Sequence, residues 1–181
     1  MKKVILILST VFLAGTLFAQ KKTTTSATVA FDASTELDKL PKAENKTVIA
    51  AVDTKTGSVQ FEATVKNFSF SNPSMQQHFN GEKWLNSDAH PSFTFKGNVV
   101  NLADVNFAKD GIYNTNVEGT LTIKGSSQKI TVPATVVVKG GSISASSNFT
   151  IKLADYSITG SSIDAGKVAK EPKVSVSADF N

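Results

Sequence analysis

From Ala27 onward, apolar and polar residues alternate along most of the chain, the period of two that sends successive side chains to opposite faces of a β-strand. Val29 and Phe31 open a first strand. The runs 47–52 and 58–65 follow, separated by Asp53-Thr54-Lys55-Thr56-Gly57, a composition suited to a tight turn. In the second of these runs Val59, Phe61, Ala63 and Val65 share a face. A run over 92–100 sets Phe93 and Phe95 against Thr94 and Lys96, and Asp110-Gly111 closes the loop after it. Three clear strands come next: Val117, Leu121 and Ile123 alternate with polar neighbours, as do Ile130, Val132, Ala134, Val136 and Val138, and then Phe149, Ile151 and Leu153. The serine-rich stretch 142–147 continues this pattern through Ile143 and Ala145 and reads as strand. A last run, Lys173 to Phe180, presents Val174, Val176, Ala178 and Phe180 on one side.

The pattern predicts an all-β fold, a single antiparallel barrel of about eight strands, the number at which a barrel either fills with side chains or holds one small ligand. Closure would also remove the exposed strand edges of an open sheet. Helix is sparse. Asn72 followed by Pro73 makes a capping pair, and Asn80-Gly81 a stop, so 73–79 is expected to form two helical turns with Met75 and Phe79 on one face and His78 turned away from them.

The N-terminus has a different character. Residues 1–19 hold Lys2 and Lys3 ahead of an apolar stretch that ends at Ala19, the pattern of a cleavable secretory signal, so the mature domain is expected to span 20–181 in the periplasm or outside the cell. Ser9, Thr10, Gly15 and Thr16 interrupt the apolar run, and no other segment is apolar enough for a stable membrane span. The chain has no cysteine, which rules out disulfides, thiolate metal ligands, thiol chemistry and acylation at a lipobox cysteine. Stability must come from the core, and about 160 residues are enough for one. The formal net charge of +4 falls to +2 when Lys2 and Lys3 leave, and the remaining lysines are interspersed with acids. All 19 basic residues are lysine. No basic patch points to nucleic acid, and no guanidinium is available to clamp a phosphate.

Of 12 phenylalanines, Phe12 and Phe18 lie in the signal, and the rest compare with only two tyrosines and one tryptophan. Most of the aromatic surface therefore carries no polar handle. Phe61, Phe68, Phe70, Met75, Phe79, Trp84, Phe93, Phe95 and Phe149 either fill the barrel or line a cavity in it, and alternation alone leaves both open. His78 could hydrogen-bond a ligand head group. His90 is read as a surface or capping residue, and two histidines 12 residues apart near Asp88 make a weak metal pattern, so no metal or other cofactor is assigned. There is no nucleophile elbow, phosphate loop or apolar-flanked carboxylate pair, and the chain is not expected to be an enzyme. Asp155 beside Tyr156 is the nearest catalytic candidate and is read as a turn after the Phe149 strand. Gly119, inside a strand, is expected to let a neighbouring side chain or ligand cross it.

Three segments carry a family resemblance. Met75, His78, Phe79, Asp88, Pro91, Phe93, Phe95 and Gly97 stand at the places of a helical turn, acidic loop and strand of the YceI-like family; V-E-G-T-L-T-I-K-G (117–125) with I-T-V-P-A (130–134) is similar to its hairpin; and F-T-I-K-L-A-D-Y-S-I (149–158) resembles a further strand. Two positions depart, with His90 in place of the usual aromatic before Pro91 and Ser157 in place of the usual glycine. The resemblance implies a lipocalin-like barrel that binds, sequesters or transports a long isoprenoid or acyl lipid in the cell envelope, with Phe61, Phe68, Phe70, Met75, His78, Phe79, Trp84, Phe93, Phe95 and Phe149 around the chain. The alternative is a stress-related periplasmic protein with a filled barrel acting through protein contacts. Whether a homodimer encloses a longer ligand stays open at this level.

Overall fold

The computed structural model describes residues 20–180, so the expected signal lies outside the described residues. Strands β1 (Lys21–Asp32), β2 (Lys42–Asp53), β3 (Ser58–Thr64), β5 (Ser92–Val99), β6 (Gly111–Ile123), β7 (Ser126–Lys139), β8 (Ser142–Thr150) and β9 (Lys173–Phe180) are the staves of a closed antiparallel barrel. Their order is β1-β9-β8-β7-β6-β5-β3-β2, and pairing of β1 with β2 completes the ring. A ninth strand, β4 (Ser69–Phe70), pairs only with Ala43 and Glu44 of β2, beyond the end of β3. Two short helices, α1 (Pro73–Asn80) and α2 (Ser161–Asp164), lie in the connections.

The first two staves are longer than alternation foretells. The polar Lys21-Lys22-Thr23-Thr24 segment is strand because it pairs with 50–53 of β2, and threonine tolerates the pleated conformation. Register shifts between Thr24, Ala27 and Val29 bend β1 so that it can meet β2 on one side and β9 on the other. Near the start of β2 an asparagine takes an inward, fully buried position. Asn45 Nδ2 donates to the carbonyl of Thr64 at 2.9 Å, and its Oδ1 accepts from Thr47 N and Oγ1, both at 2.8 Å, so its burial leaves no polar group unpaired.

The chain reverses at each strand, so the connections 33–41, 65–91, 124–125 and 151–172 gather at one end and 54–57, 100–110 and 140–141 at the other. The second end is packed shut by buried Val99, Val105, Val138, Ile143 and Phe180. The β6–β7 connection is the two-residue turn Lys124-Gly125, with φ of +50° and +76°, the primed geometry that matches strand twist. Ser157 adopts φ of +57° without being glycine and ends a 3-10 turn. Phe93 and Phe95 face inward, paired beside Ala63 and Phe61, while Lys96 is exposed.

Gly97 and Gly119 stand opposite each other across β5 and β6. A Cβ on Gly119 would lie 2.5 Å from the carbonyl oxygen of Lys96 and 2.5 Å from Cζ of Phe95. Gly119→Ala is therefore expected to cost roughly 1–3 kcal/mol through overpacking, whereas Lys96→Ala, facing solvent, should stay within about 0.5 kcal/mol of the parent. Urea titration of both variants checks this, and equal midpoints would contradict it.

At the open end Asp32 joins β1 to β2, with Lys42 Nζ 2.8 Å from its Oδ2 and Ser34 N donating to its Oδ1 at 2.9 Å. Partial burial raises the carboxyl pKa, but the hydrogen bonds from Lys42 and Ser34 outweigh it and bring the pKa from 3.8 down to about 2. A depressed folded pKa means that the stabilisation is present above pH 3.8 and is lost as pH falls through about 2. Asp32→Asn should lower the urea midpoint at neutral pH, and its deficit should shrink as pH falls across that window. A deficit independent of pH would contradict the assignment.

Candidate functional site

Alternation aims one side-chain set of every stave at the barrel axis, yet many of these inward residues are not fully covered. Val29, Phe61, Phe95, Leu121, Ile130 and Phe149 all keep accessible surface. The surface they keep faces a cavity of about 360 Å³. That volume lies within the range of small-molecule sites, which runs from roughly 300 to 1,000 Å³. The cavity is continuous from Trp84, His78 and Lys167 at the open end to Phe180 and Ile143 at the packed end. All ten residues named from sequence, Phe61, Phe68, Phe70, Met75, His78, Phe79, Trp84, Phe93, Phe95 and Phe149, border it.

They are not equivalent. Phe68 and Phe79 are buried and interlock with Phe31, Phe70 and Phe93 in one aromatic cluster: the Phe70 and Phe79 ring centroids lie 4.9 Å apart, Phe31 and Phe79 stack at 5.5 Å, and Phe68 meets Phe93 at 5.7 Å. Centroid distances of this size are those at which aromatic pairs attract beyond simple burial. The cluster stands where β1, β4, α1 and β5 converge, and it forms one wall of the open end. Met75 and Trp84 are half-buried, and His78 is exposed at the rim.

Local chemistry positions α1 across this end. The Asn72 side chain accepts from the backbone N–H of Ser74 at 2.9 Å and of Met75 at 3.3 Å, and Pro73 occupies the first turn, where a missing N–H costs nothing. The helix stops at Gly81. Leu85, only 2% exposed, and buried Ser87 then fold the following loop back: Leu85 N donates to Phe79 O at 3.3 Å, and Ser87 N to Asn80 O at 3.1 Å. Trp84, immediately before Leu85, borders the cavity.

Polar groups are confined mostly to that rim. Among the described residues, the ionisable side chains that border the cavity are Asp38, His78 and Lys167, with the Ser162 hydroxyl beside them. Asp38 and Lys167 were absent from the sequence reading because they come from the connections 33–41 and 151–172, which carry no periodicity and meet only in the folded barrel. Phe31 was also missed as a site residue, although its alternation with Val29 marks it as inward. Thr94, Ser146 and Ser147 also border the cavity, and the Ser147 hydroxyl donates to Pro133 O at 2.6 Å. The cavity wall thus gathers its ionisable groups at one end and is mostly apolar elsewhere.

The remaining polar candidates fall elsewhere. Asp88 is paired with Lys66 at 2.6 Å, and His90 lies against the Lys124-Gly125 turn. No group of three or more metal-capable side chains occurs among the described residues. Asp155 and Tyr156 form part of a 3-10 turn outside the cavity lining. Burial, and then the Asp155 carboxylate, pushes the Tyr156 hydroxyl up to about 12, which suits a packed phenol rather than a proton carrier at neutral pH.

Comparison with known proteins agrees with this architecture. A structure of a polyisoprenoid-binding domain from Saccharophagus degradans, described as implicated in plant cell wall breakdown, superposes with a TM-score of 0.75 at 15% identity, over 90% of this chain and 98% of its own. BcnA of Burkholderia cenocepacia gives a TM-score of 0.68 at 22% identity over 84% and 96% of the two chains. A Campylobacter jejuni YceI protein gives 0.53 at 20% identity over 74% and 80%. At these identities the likeness is one of fold. No curated protein matches the chain. The model of the YceI-like domain matches residues 11–180, nearly the whole sequence, and the chain therefore belongs to the YceI-like domain family.

Proposed function

We propose that the protein binds a long-chain apolar lipid, an isoprenoid or acyl chain, inside its barrel and sequesters or carries it in the cell envelope without transforming it. The observation that carries this reading is the uncovered inward face: side chains that would close a filled barrel instead border a continuous cavity. An interior of this kind is unfavourable to fill with water, because its wall is mostly apolar below the rim. An apolar chain fits it, and burying about ten methylenes is worth roughly 8 kcal/mol before the costs of association. The hydrogen-bonding groups at Asp38, His78 and Lys167 favour a tail-in orientation with the head group at the open end. A fold neighbour described as polyisoprenoid-binding is consistent with the same ligand class. The open interior favours this reading over the alternative, a filled barrel acting through protein contacts.

Trp84, the only tryptophan, borders the cavity and reports on its contents. Titrating delipidated protein with a long-chain fatty acid or isoprenol should change its fluorescence saturably. Met75→Asp should weaken that binding far more than it lowers the urea midpoint, because a carboxylate there must be desolvated against the chain. His78→Ala should cost about 1 kcal/mol of affinity if it holds a head group by one hydrogen bond. An absent response, together with no lipid recovered by solvent extraction of protein purified from its own host, would overturn the reading.

Envelope location rests on the N-terminal pattern alone. Export with cleavage after Ala19 predicts that protein released by osmotic shock begins at Gln20, which N-terminal mass spectrometry measures directly. Membrane-bound protein retaining Met1 would refute it.

A further inference from the structure

Halfway down the cavity the wall carries an unusual recess. Phe93, Phe95, Gly97 and Val99 form the inward set of β5, and Val117, Gly119, Leu121 and Ile123 that of β6, with Gly97 and Gly119 directly opposite. A Cβ on Gly97 would come 2.8 Å from Phe95 Cζ and 2.5 Å from the carbonyl oxygen of Glu118; one on Gly119 would come 2.5 Å from the same Cζ. The tip of the Phe95 ring thus occupies the space that two inward side chains would take. The ring lies along the wall, directed toward the packed end, rather than across the lumen.

This placement divides the cavity into two zones. On the open side of Phe95 stand Phe93, Phe149 and the aromatic cluster; on the other side the lining is Val59, Val117, Val136, Ile143 and Phe180. Were either glycine to carry a side chain, the facing backbone and the ring would both have to give way, and a ring displaced inward would narrow the passage to the deeper zone. Backbone approach alone does not require that Phe95 be aromatic. A large ring over two glycines is a way to have bulk at this level while leaving the passage open, in the manner of an aromatic side chain covering a glycine on a neighbouring strand.

We propose that Phe95, lodged on the Gly97–Gly119 pair, is the specificity-determining residue that sets how far an apolar chain enters the barrel. The proposal rests on the lipid-binding reading above and adds to it a depth gauge. Phenylalanine fits the recess; an indole has a larger footprint and would overhang the passage, whereas alanine would widen it. The effect must then depend on chain length. A short chain ends before Phe95 and does not sense it, while a long chain loses every methylene it can no longer place beyond.

The test is calorimetric titration of the delipidated protein, its Phe95→Trp and its Phe95→Ala variants with octanoic, dodecanoic, hexadecanoic and eicosanoic acids, and with farnesol and geranylgeraniol. In the parent, affinity should rise with chain length. In Phe95→Trp the rise should stop early, with hexadecanoic acid bound about tenfold more weakly, the loss of about two buried methylenes, and octanoic acid unchanged. Phe95→Ala should keep or extend the rise. If Phe95→Trp fails to fold, Val117→Phe, which fills the deeper zone from β6, should produce the same early plateau. Identical length profiles in all variants, or a uniform loss at every length, would overturn the gauge while leaving lipid binding intact. No heat with any of these ligands in the parent protein would overturn the binding reading and the gauge with it.

Discussion

The double pairing of β1, with β2 along one edge and β9 along the other, turns a curled sheet into a barrel. A sheet whose two outer strands remained unpaired would expose two rows of backbone donors and acceptors and would be free to flatten. Closure removes both problems and has a geometric consequence. With eight staves the ring is of a width that inward side chains can either fill or leave partly open, and whatever they fail to fill becomes cavity. The bends in β1 around Ala27 make this closure compatible with strand twist, and the Asp32–Lys42 pair fastens it at the open end.

Given that ring, the distribution of side chains decides what the interior is. Aliphatic residues and Phe180 seal one end. The other carries large rings that pack on each other rather than plugging the axis, so bulk is concentrated on one wall, where β4 and α1 add an extra layer. This asymmetry yields a cavity with one rim, and the rim gathers the polar groups Asp38, His78 and Lys167. A lipid is itself asymmetric in the same sense, with one wet end and one dry end, which is why this interior suits one better than it suits a compact polar metabolite.

The segment across the open end differs physically from the staves. Phe79 and Leu85 are anchored in the core, whereas Met75, His78 and Trp84 between and beside them retain exposed surface and touch the cavity. Two fixed points with a partly covered span between them allow local adjustment without loosening the barrel. Entry of a long chain needs some such adjustment, and the staves, bound to neighbours on both sides, are poorly placed to supply it.

Much of this was legible in the residues themselves. Period-two alternation determined most of the strands and which side chains face inward, as Phe93 and Phe95 against Lys96 demonstrate, because the pleat leaves a side chain only two directions; Ile151 and Leu153 continue the alternation of Phe149 but lie in the connection after β8, Leu153 in a 3-10 turn. Asn72-Pro73 determined where α1 begins, since capping is a local hydrogen-bonding matter. Turn sequences such as Asp53-Thr54-Lys55-Thr56-Gly57 were local in the same way. What alternation could not settle was whether inward phenylalanines fill or line the barrel: that depends on distances across the ring, which no residue and its neighbours in sequence contain. The extension of β1 into Lys21-Lys22-Thr23-Thr24 was likewise decided by its partner, β2, and not by its own composition. Asp38 and Lys167 became neighbours of one rim only because connections far apart in sequence end on the same side of an antiparallel barrel. Gly119 could be recognised as a crossing point, but that Phe95 is what crosses it followed only from the register of β5 against β6, a property of two strands and of neither alone.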